Sequence, residues 1–308
     1  MIVLRTEQEI VENWNSTLDI PVLSICCITY NHVDFIQCAL NGFLSQITDF
    51  SFEIIVHDDC STDGTVDVLK SYRDRYPKLI KLVLQTENQW SKGGFISPRF
   101  VFPIARGKFI AICEGDDYWV DPLKLQKQVS FLEENPEYSL TYTSVTAFDE
   151  KGVVHSYVGG ATKDLSSVQL KSFASINTLT ACFRNVGFDV GPAAPLIRYG
   201  DLVVWAILGH YGKGKYLADI KPSMYRIHGA GVHSGSSSQT RAKNSLSTLF
   251  AMYIYYNKNE DVVFSRIFLK KVLWAVVGIY GKKEFIVDLV RFVPGYVLRR
   301  IRAFFIII

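Results

Sequence analysis

The order of short apolar runs constrains this chain most. "PVLSICCI" (Pro21–Ile28), "FEIIVH" (Phe52–His57), "LIKLVL" (Leu79–Leu84) and "FIAIC" (Phe109–Cys113) are β-rich and almost continuously apolar. Strands read this way when both faces are buried, as in a parallel sheet. Residues at helical spacing lie between them. Phe35, Ile36, Ala39, Leu40, Phe43 and Leu44 form one apolar stripe; Val66, Leu69, Tyr72 and Arg73 form another, which Pro77 stops. Asp121 and Pro122 read as the N-cap and first residue of a further helix, with Leu125, Val129 and Leu132 on one side and Asn135-Pro136 at its end. Each of the four strands is thus expected to be followed by a helix. That order predicts an α/β fold with a mostly parallel sheet flanked by helices.

In such sheets ligands bind beyond the carboxyl ends of the strands. Three of those ends turn polar at once: Thr29-Tyr30-Asn31-His32, Asp58-Asp59-Cys60-Ser61 and Glu114-Gly115-Asp116-Asp117. They are expected to line one crevice. Glu114, Asp116 and Asp117 would repel one another there. A divalent cation among them resolves the repulsion, since hard cations take oxygen ligands. Two plainer readings compete. "EGDD" also suits a solvated turn with a helix cap, and "STDGT" suits capping of the next helix by Ser61 and Asp63, with Gly64 relieving the turn. "DDCSTDGTVDVLK" brushes the EF-hand pattern, but Lys70 stands where that loop needs a bidentate Glu, so an EF-hand is excluded.

Composition narrows the classes. The 308 residues are 48% hydrophobic, enough for one large or two small domains with a core. None of the six cysteines forms a C-x-x-C pair and several sit in apolar runs, so they are expected to be buried, reduced thiols. The N-terminal residues carry no secretory pattern, and a cytoplasmic location is expected. The net charge of +3 divides unevenly: from Val262 onward nine Lys or Arg face two acids, leaving a balance of −4 before it. The basic surplus therefore belongs to the C-terminal stretch, and no nucleic-acid partner is expected for the rest.

Taken in order, "SICCITYNH", "EIIVHDDCSTDGT", "GKFIAICEGDDYWVDPLKLQKQ" and "YGDLVVW" resemble the family 2 glycosyltransferases over roughly Pro21 to Gly235. The resemblance implies a GT-A type, Rossmann-like domain over residues 1–235, with a nucleotide-binding half at about 20–120 and an acceptor half at about 121–235. It implies a nucleotide-sugar donor bound by Thr29, Tyr30, Asn31, Asp59, Arg99, Glu114, Asp116 and Asp117. The guanidinium of Arg99 would suit diphosphate oxygens. The family's D-x-D motif falls on Glu114-Gly115-Asp116, with Glu in the first place; Asp116 is the expected metal ligand for Mg²⁺ or Mn²⁺, and His228, in "YRIHGAGVHSG" after the strand-like "SMYRI", is expected to complete that site or touch the diphosphate, although a surface loop histidine would also fit. His233 in the same loop is a weaker candidate, and Gly229, Gly231 and the serines after them suggest a lid. Asp201, in the GD motif before an apolar helical run, matches the catalytic base, although helix capping alone would also explain it. "INTLTACFRN", Ile176 to Asn185, is expected on the acceptor side. One base and an in-line attack imply inversion at the anomeric carbon. The implied role is sugar transfer to a glycan or polyprenyl-linked acceptor, with a non-catalytic sugar-nucleotide-binding module as the alternative.

Residues 236–308 are expected to be a helical extension. Their aromatics and basic residues interleave, and the longest apolar run, "VLWAVVGIYG", falls well short of the roughly 20 residues a membrane span needs. A basic, amphipathic stretch of this kind fits the surface of an anionic membrane, on the inner face of the plasma membrane, as well as packing on the main domain.

Overall fold

The structure is a computed structural model that describes residues 4–15, 20–157, 159–229 and 237–280. The chain divides into two units, residues 1–235 and 236–308.

The first unit opens with a short helix, α1 (Glu7–Val11), closed by a Thr6–Glu9 capping box. The four expected strands follow as β1 (Leu23–Thr29), β2 (Phe52–Asp58), β3 (Ile80–Leu84) and β4 (Phe109–Ile112). Every residue of β2 and β4 is buried, which is why those runs lack alternation. Helices α2 (Ile36–Leu44) and α3 (Thr65–Arg75) lie between the first three strands, and α4 (Lys124–Glu134) follows β4. Ile36, Ala39, Leu40, Phe43 and Leu44 are buried on α2, and Leu125, Val129 and Leu132 on α4, each worth roughly 1.5–3 kcal/mol of burial for the larger side chains.

Two expectations change here. No α-helix joins β3 to β4; that segment is a chain of tight and wide turns at Trp90–Lys92, Ser97–Val101 and Phe102–Ile104. Pro98 and Pro103 lack the N–H that a continuing helix would need. The helix expected to start at Asp121-Pro122 starts at Lys124 instead. The Asp121 carboxylate takes the N–H of Leu123 at 3.0 Å and that of Lys221 at 3.0 Å, so it ties two segments together before the helix begins.

Five more strands among the described residues went unforeseen: β5 (Tyr138–Tyr142), β6 (Val145–Asp149), β7 (Gly152–Val153), β8 (Cys182–Arg184) and β9 (Lys213–Tyr216); the strand-like "SMYRI" forms β10 (Ser223–Arg226) as expected. Helices α5 (Ser167–Lys171) and α6 (Gly200–Leu208) complete the unit. The main sheet runs β3-β2-β1-β4-β8-β5-β9, with only the pairs around β8 antiparallel. A small sheet, β10-β6-β7, is stitched to the chain after β4 by a Tyr118–Met224 bridge. The parallel register pairs Thr29 with Asp58 and Cys26 with Ile112, so three carboxyl ends open side by side. The direction of winding changes between β1 and β4, the place where such sheets leave a crevice.

All six cysteines are free. Cys38 is exposed and Cys60 half-buried, against the expectation of burial. Cys38 faces away from the buried stripe of α2, and Cys60 holds a left-handed turn, φ 68°, beyond β2.

The second unit contains α7 (Ser238–Lys258) and α8 (Val262–Tyr280). Ser237 caps α7 through the N–H of Thr240, and Tyr256 stacks on Phe264 and Phe268 at 5.2 and 5.3 Å. No helix among the described residues is long and apolar enough to cross a membrane. The basic stretch after Tyr280 lies outside the described residues.

Candidate active site

The turn after β1 is built by the loop after β2. Asn31, at φ 53°, donates its N–H to Ser61 Oγ at 2.8 Å and accepts from the Thr62 N–H at 2.9 Å. His32 N donates to Thr65 Oγ1 and Val33 N to Asp63 Oδ2. Asp58 in turn accepts from the N–H and hydroxyl of Ser61. Ser61 and Asp63 thus stitch two strand ends together, while Gly64, at φ 99°, starts α3 without a side-chain cap of its own. Asp59 accepts the N–H groups of Gln89 and Trp90 at 2.7 and 3.0 Å. It therefore orders the loop after β3, and Arg198 reaches the Trp90 carbonyl from the segment that leads into α6.

The acidic turn after β4 sits against β1. Gly115 donates to the Ile28 carbonyl at 2.9 Å, and a Cβ there would meet Thr29 Oγ1 at 2.7 Å. Only glycine lets the turn lie this close. Thr29 Oγ1 is buried without a hydrogen-bond partner, and Tyr30 is exposed. The three acids have different surroundings. Glu114 accepts from Thr178 Oγ1 at 2.9 Å; burial, then the charges of Asp116 and Asp201, push its carboxyl up to about 7. Asp117 accepts the Arg226 N–H at 2.8 Å, and burial followed by the charges of Asp116 and Glu114 pushes it up as well. Burial would also raise Asp116, but the His228 hydrogen bond and the nearby His32 hold it below the ordinary carboxylate range.

Asp116 lies between two imidazoles. His228 Nε2 is 3.0 Å and His32 Nε2 3.8 Å from Asp116 Oδ2. One donor atom from each residue falls within 4.8 Å of the others. His32 is kept neutral mainly by burial, which lowers it. A carboxylate and two ring nitrogens converging in this way fit a divalent cation. The last strand of the small sheet delivers His228, and Arg226, two residues earlier, donates through Nε to the Asp116 carbonyl. The Arg226 guanidinium lies 4.5 Å from the Phe35 ring and 4.6 Å from that of Phe148, which fixes the strand over the crevice.

Asp201 stands in the first turn of α6, after Gly200, rather than at its N-cap, which is Tyr199. Its charge reaches Glu114, so the structure brings it to the acidic side of the crevice. Arg99 does not join the acids. It donates to the Gly93 carbonyl, lies over Phe100 and lines a mostly apolar hollow of about 320 Å³ with Phe95, Phe102 and Phe188. His233, Gly231, Ser234 and Ser236 of the expected lid lie outside the described residues, while Ser237 and Ser238 form the cap and first residue of α7.

His32 was expected in the crevice but given no role, Thr178 was expected only as part of an acceptor-side segment, and Arg226 was not a candidate. His32 ends the quoted "TYNH" run, and its place at a strand end was a usable signal. Thr178 carried none, because its partner is 64 residues away.

A parallel sheet with its acids and imidazoles at the winding switch, a small second sheet beside it and a carboxylate at a helix start define the GT-A class of α/β proteins. Residues 24–194 match the model of Glycosyl transferase family 2. An uncharacterised protein of Mycobacterium tuberculosis is 34% identical over 241 residues, which are 75% of this chain and 67% of that protein. The Escherichia coli UDP-Glc:alpha-D-GlcNAc-diphosphoundecaprenol beta-1,3-glucosyltransferase WfaP is 25% identical over 74% of this chain and 86% of its own length. The chain belongs to glycosyl transferase family 2. Among solved structures, S. aureus TarS 1-349 in complex with UDP-GlcNAc superposes with a TM-score of 0.53 at 19% identity, covering 76% of this chain. The chain spans 66% of that TarS chain. The Mannosyltransferase PcManGT of Pyrobaculum calidifontis, solved with GDP-Man and Mn²⁺, gives 0.52 at 15% identity over 94% of this chain and 81% of its own. At these identities the likeness is one of fold.

Proposed function

We propose that this chain transfers a sugar, with inversion, from a nucleoside-diphosphate sugar to a hydroxyl of a glycan or polyprenyl-linked acceptor in cell-surface polysaccharide assembly. The observation that carries the reading is the Asp116 carboxylate set between imidazoles at the winding switch, with Asp201 close enough to act on Glu114. Asp116 and His228 would hold the divalent cation, Mg²⁺ or Mn²⁺. When bound, the cation stabilises the negative charge that builds on the leaving diphosphate. Thr29, Tyr30, Asn31 and Asp59 form the nucleoside wall, and Asp117 supports Asp116 from behind through its hold on Arg226. Arg99 serves the diphosphate only if its side chain leaves the Gly93 carbonyl. Asp201 takes the proton of the acceptor hydroxyl as that oxygen bonds to the anomeric carbon. The bond from that carbon to the diphosphate oxygen breaks on the opposite face, which inverts the centre. The glucosyl donor and diphosphoundecaprenol acceptor in the name of WfaP favour a lipid-linked acceptor here too.

Calorimetry of UDP with Mn²⁺ tests the metal assignment: Asp116→Ala should lose metal-dependent affinity, and unchanged affinity would overturn it. Asp201→Asn should bind UDP normally and transfer at least about 10²-fold more slowly, as expected for loss of a general base. Transfer at the wild-type rate would assign the base elsewhere. The basic C-terminal stretch carries the chain to the membrane in this reading, each Lys or Arg adding about 1 kcal/mol at an anionic surface. Full-length protein that stays in the supernatant with anionic liposomes at low salt would remove that part.

A further inference from the structure

We infer that His32 is a third protein ligand, so that the cation is held by two imidazoles and one carboxylate, a set that selects a first-row transition ion over Mg²⁺. The inference rests on the metal reading above.

The backbone of His32 is fixed before any cation arrives. The N–H groups of three successive residues, Asn31, His32 and Val33, are each held by a side chain of the loop after β2 or of the first residue of α3. The ring is enclosed, its side chain only 15% exposed, and lies 6.1 Å from the rings of both Phe35 and His228. Yet it forms no hydrogen bond through either nitrogen. Nδ1 is buried without a partner, and Nε2 stands 3.8 Å from Asp116 Oδ2, beyond hydrogen-bond reach. Nε2, the nitrogen aimed at the carboxylate, is therefore open to a partner that the protein does not supply.

A cation is that partner. Ligand atoms about 2.1 Å from a common ion stand about 3 Å apart at a right angle and about 4 Å apart at an open angle. The observed 3.0 Å from His228 Nε2 and 3.8 Å from His32 Nε2 to Asp116 Oδ2 match those two separations. A plain hydrogen-bonded cluster would account for the first distance and leave the second without a cause.

The ligand set then decides the metal. Mg²⁺ dehydrates reluctantly and keeps oxygen ligands, whereas imidazole suits d-block ions. Two ring nitrogens out of three protein donors therefore disfavour Mg²⁺.

Electron paramagnetic resonance of the full chain, titrated with Mn²⁺ alone and with Mn²⁺ plus UDP, gives the affinity. Spin-echo modulation from ¹⁴N gives the number of coordinated imidazoles. The wild type should show two nitrogens, and should prefer Mn²⁺ to Mg²⁺ by at least about tenfold in competition. His32→Gln should show one nitrogen and bind Mn²⁺ at least about tenfold more weakly, no less than the loss of an outer-shell partner. His32→Asp, which restores a hard ligand, should recover binding and lose the preference; it also serves if His32→Gln does not fold. One nitrogen in the wild type, or the same count in His32→Gln, would overturn the role of His32 while leaving Asp116 and His228 as ligands. Mn²⁺ binding that survives both Asp116→Ala and His228→Ala would overturn the metal reading itself.

Discussion

Lys124→Met should reveal how much this protein sacrifices to hold the acidic turn in place. Lys124 is 1% exposed on α4, under the ring of Trp119, and burial lowers its ammonium to about 8 from the ordinary 10.5. Its Nζ donates to Gln128 Oε1 and to the Thr180 carbonyl, which also accepts from Gln128 Nε2. Trp119 Nε1 donates to the next carbonyl back, that of Leu179. Together these groups clamp the turn from which Thr178 reaches Glu114. For a lysine lowered on folding, both states are charged below pH 8, and the full penalty of burying the charge is present there. From pH 8 to 10.5 the folded state loses its proton while the unfolded state keeps it, so stability rises with pH. A pKa of about 8 against 10.5 makes that penalty about 3 kcal/mol at pH 7 and under about 1 kcal/mol at pH 10. Methionine fills a similar volume, never carries the charge and forfeits hydrogen bonds worth about 1 kcal/mol each at every pH. At pH 7 the variant should therefore match or exceed the wild type. Between pH 7 and pH 10 the wild type should gain about 2.5 kcal/mol on it. Urea unfolding of both proteins at the two pH values measures the change. A difference that does not move with pH would refute the argument, since it would mean that Lys124 is charged to the same extent folded and unfolded.

Two further outcomes follow from buried contacts. Gly115→Ala places a methyl 2.7 Å from Thr29 Oγ1 and 2.9 Å from Ile36 Cδ1. It should cost about 1–3 kcal/mol in thermal unfolding and weaken Mn²⁺ binding by shifting Asp116; an unchanged melt and affinity would show the turn to be looser than described. Glu53 is fully buried on β2 and accepts from Lys81, Arg106 and Ser24; burial would raise it, but these hydrogen bonds hold it below the ordinary 4.5. Glu53→Gln should cost about 2 kcal/mol at pH 7, the scale of hydrogen bonds to a charged group. For a carboxyl lowered on folding this stability is present above the ordinary value and is lost as pH falls through the folded one. The difference from wild type should therefore begin to close as pH falls below the ordinary 4.5, and a gap that stays constant through acid unfolding would contradict it.

The α/β class was legible because burial on both faces writes itself locally: nearly all the residues of β1, β2 and β4 are buried whichever way they point, and most of them are apolar. The strand ends were legible for the same reason, since apolar runs stop where Asp58 and Glu114 begin. Most of the later strands were not. β8 has three residues and β9 four, and both owe their pairing to partners distant in sequence, whereas β10 was legible in the strand-like "SMYRI". The helix expected between β3 and β4 rested only on the alternation of strands and helices, and Pro98 and Pro103 break that segment into short turns instead. Sequence alone determined which acids would stand beyond which strand. Tertiary structure decided what each became. Asp116 fell between His32 and His228, Asp117 was spent on the Arg226 backbone, and Glu114 was matched to Thr178. Those partners lie far apart along the chain, and only the register of the sheet and the bridge to β10 bring them within bonding distance.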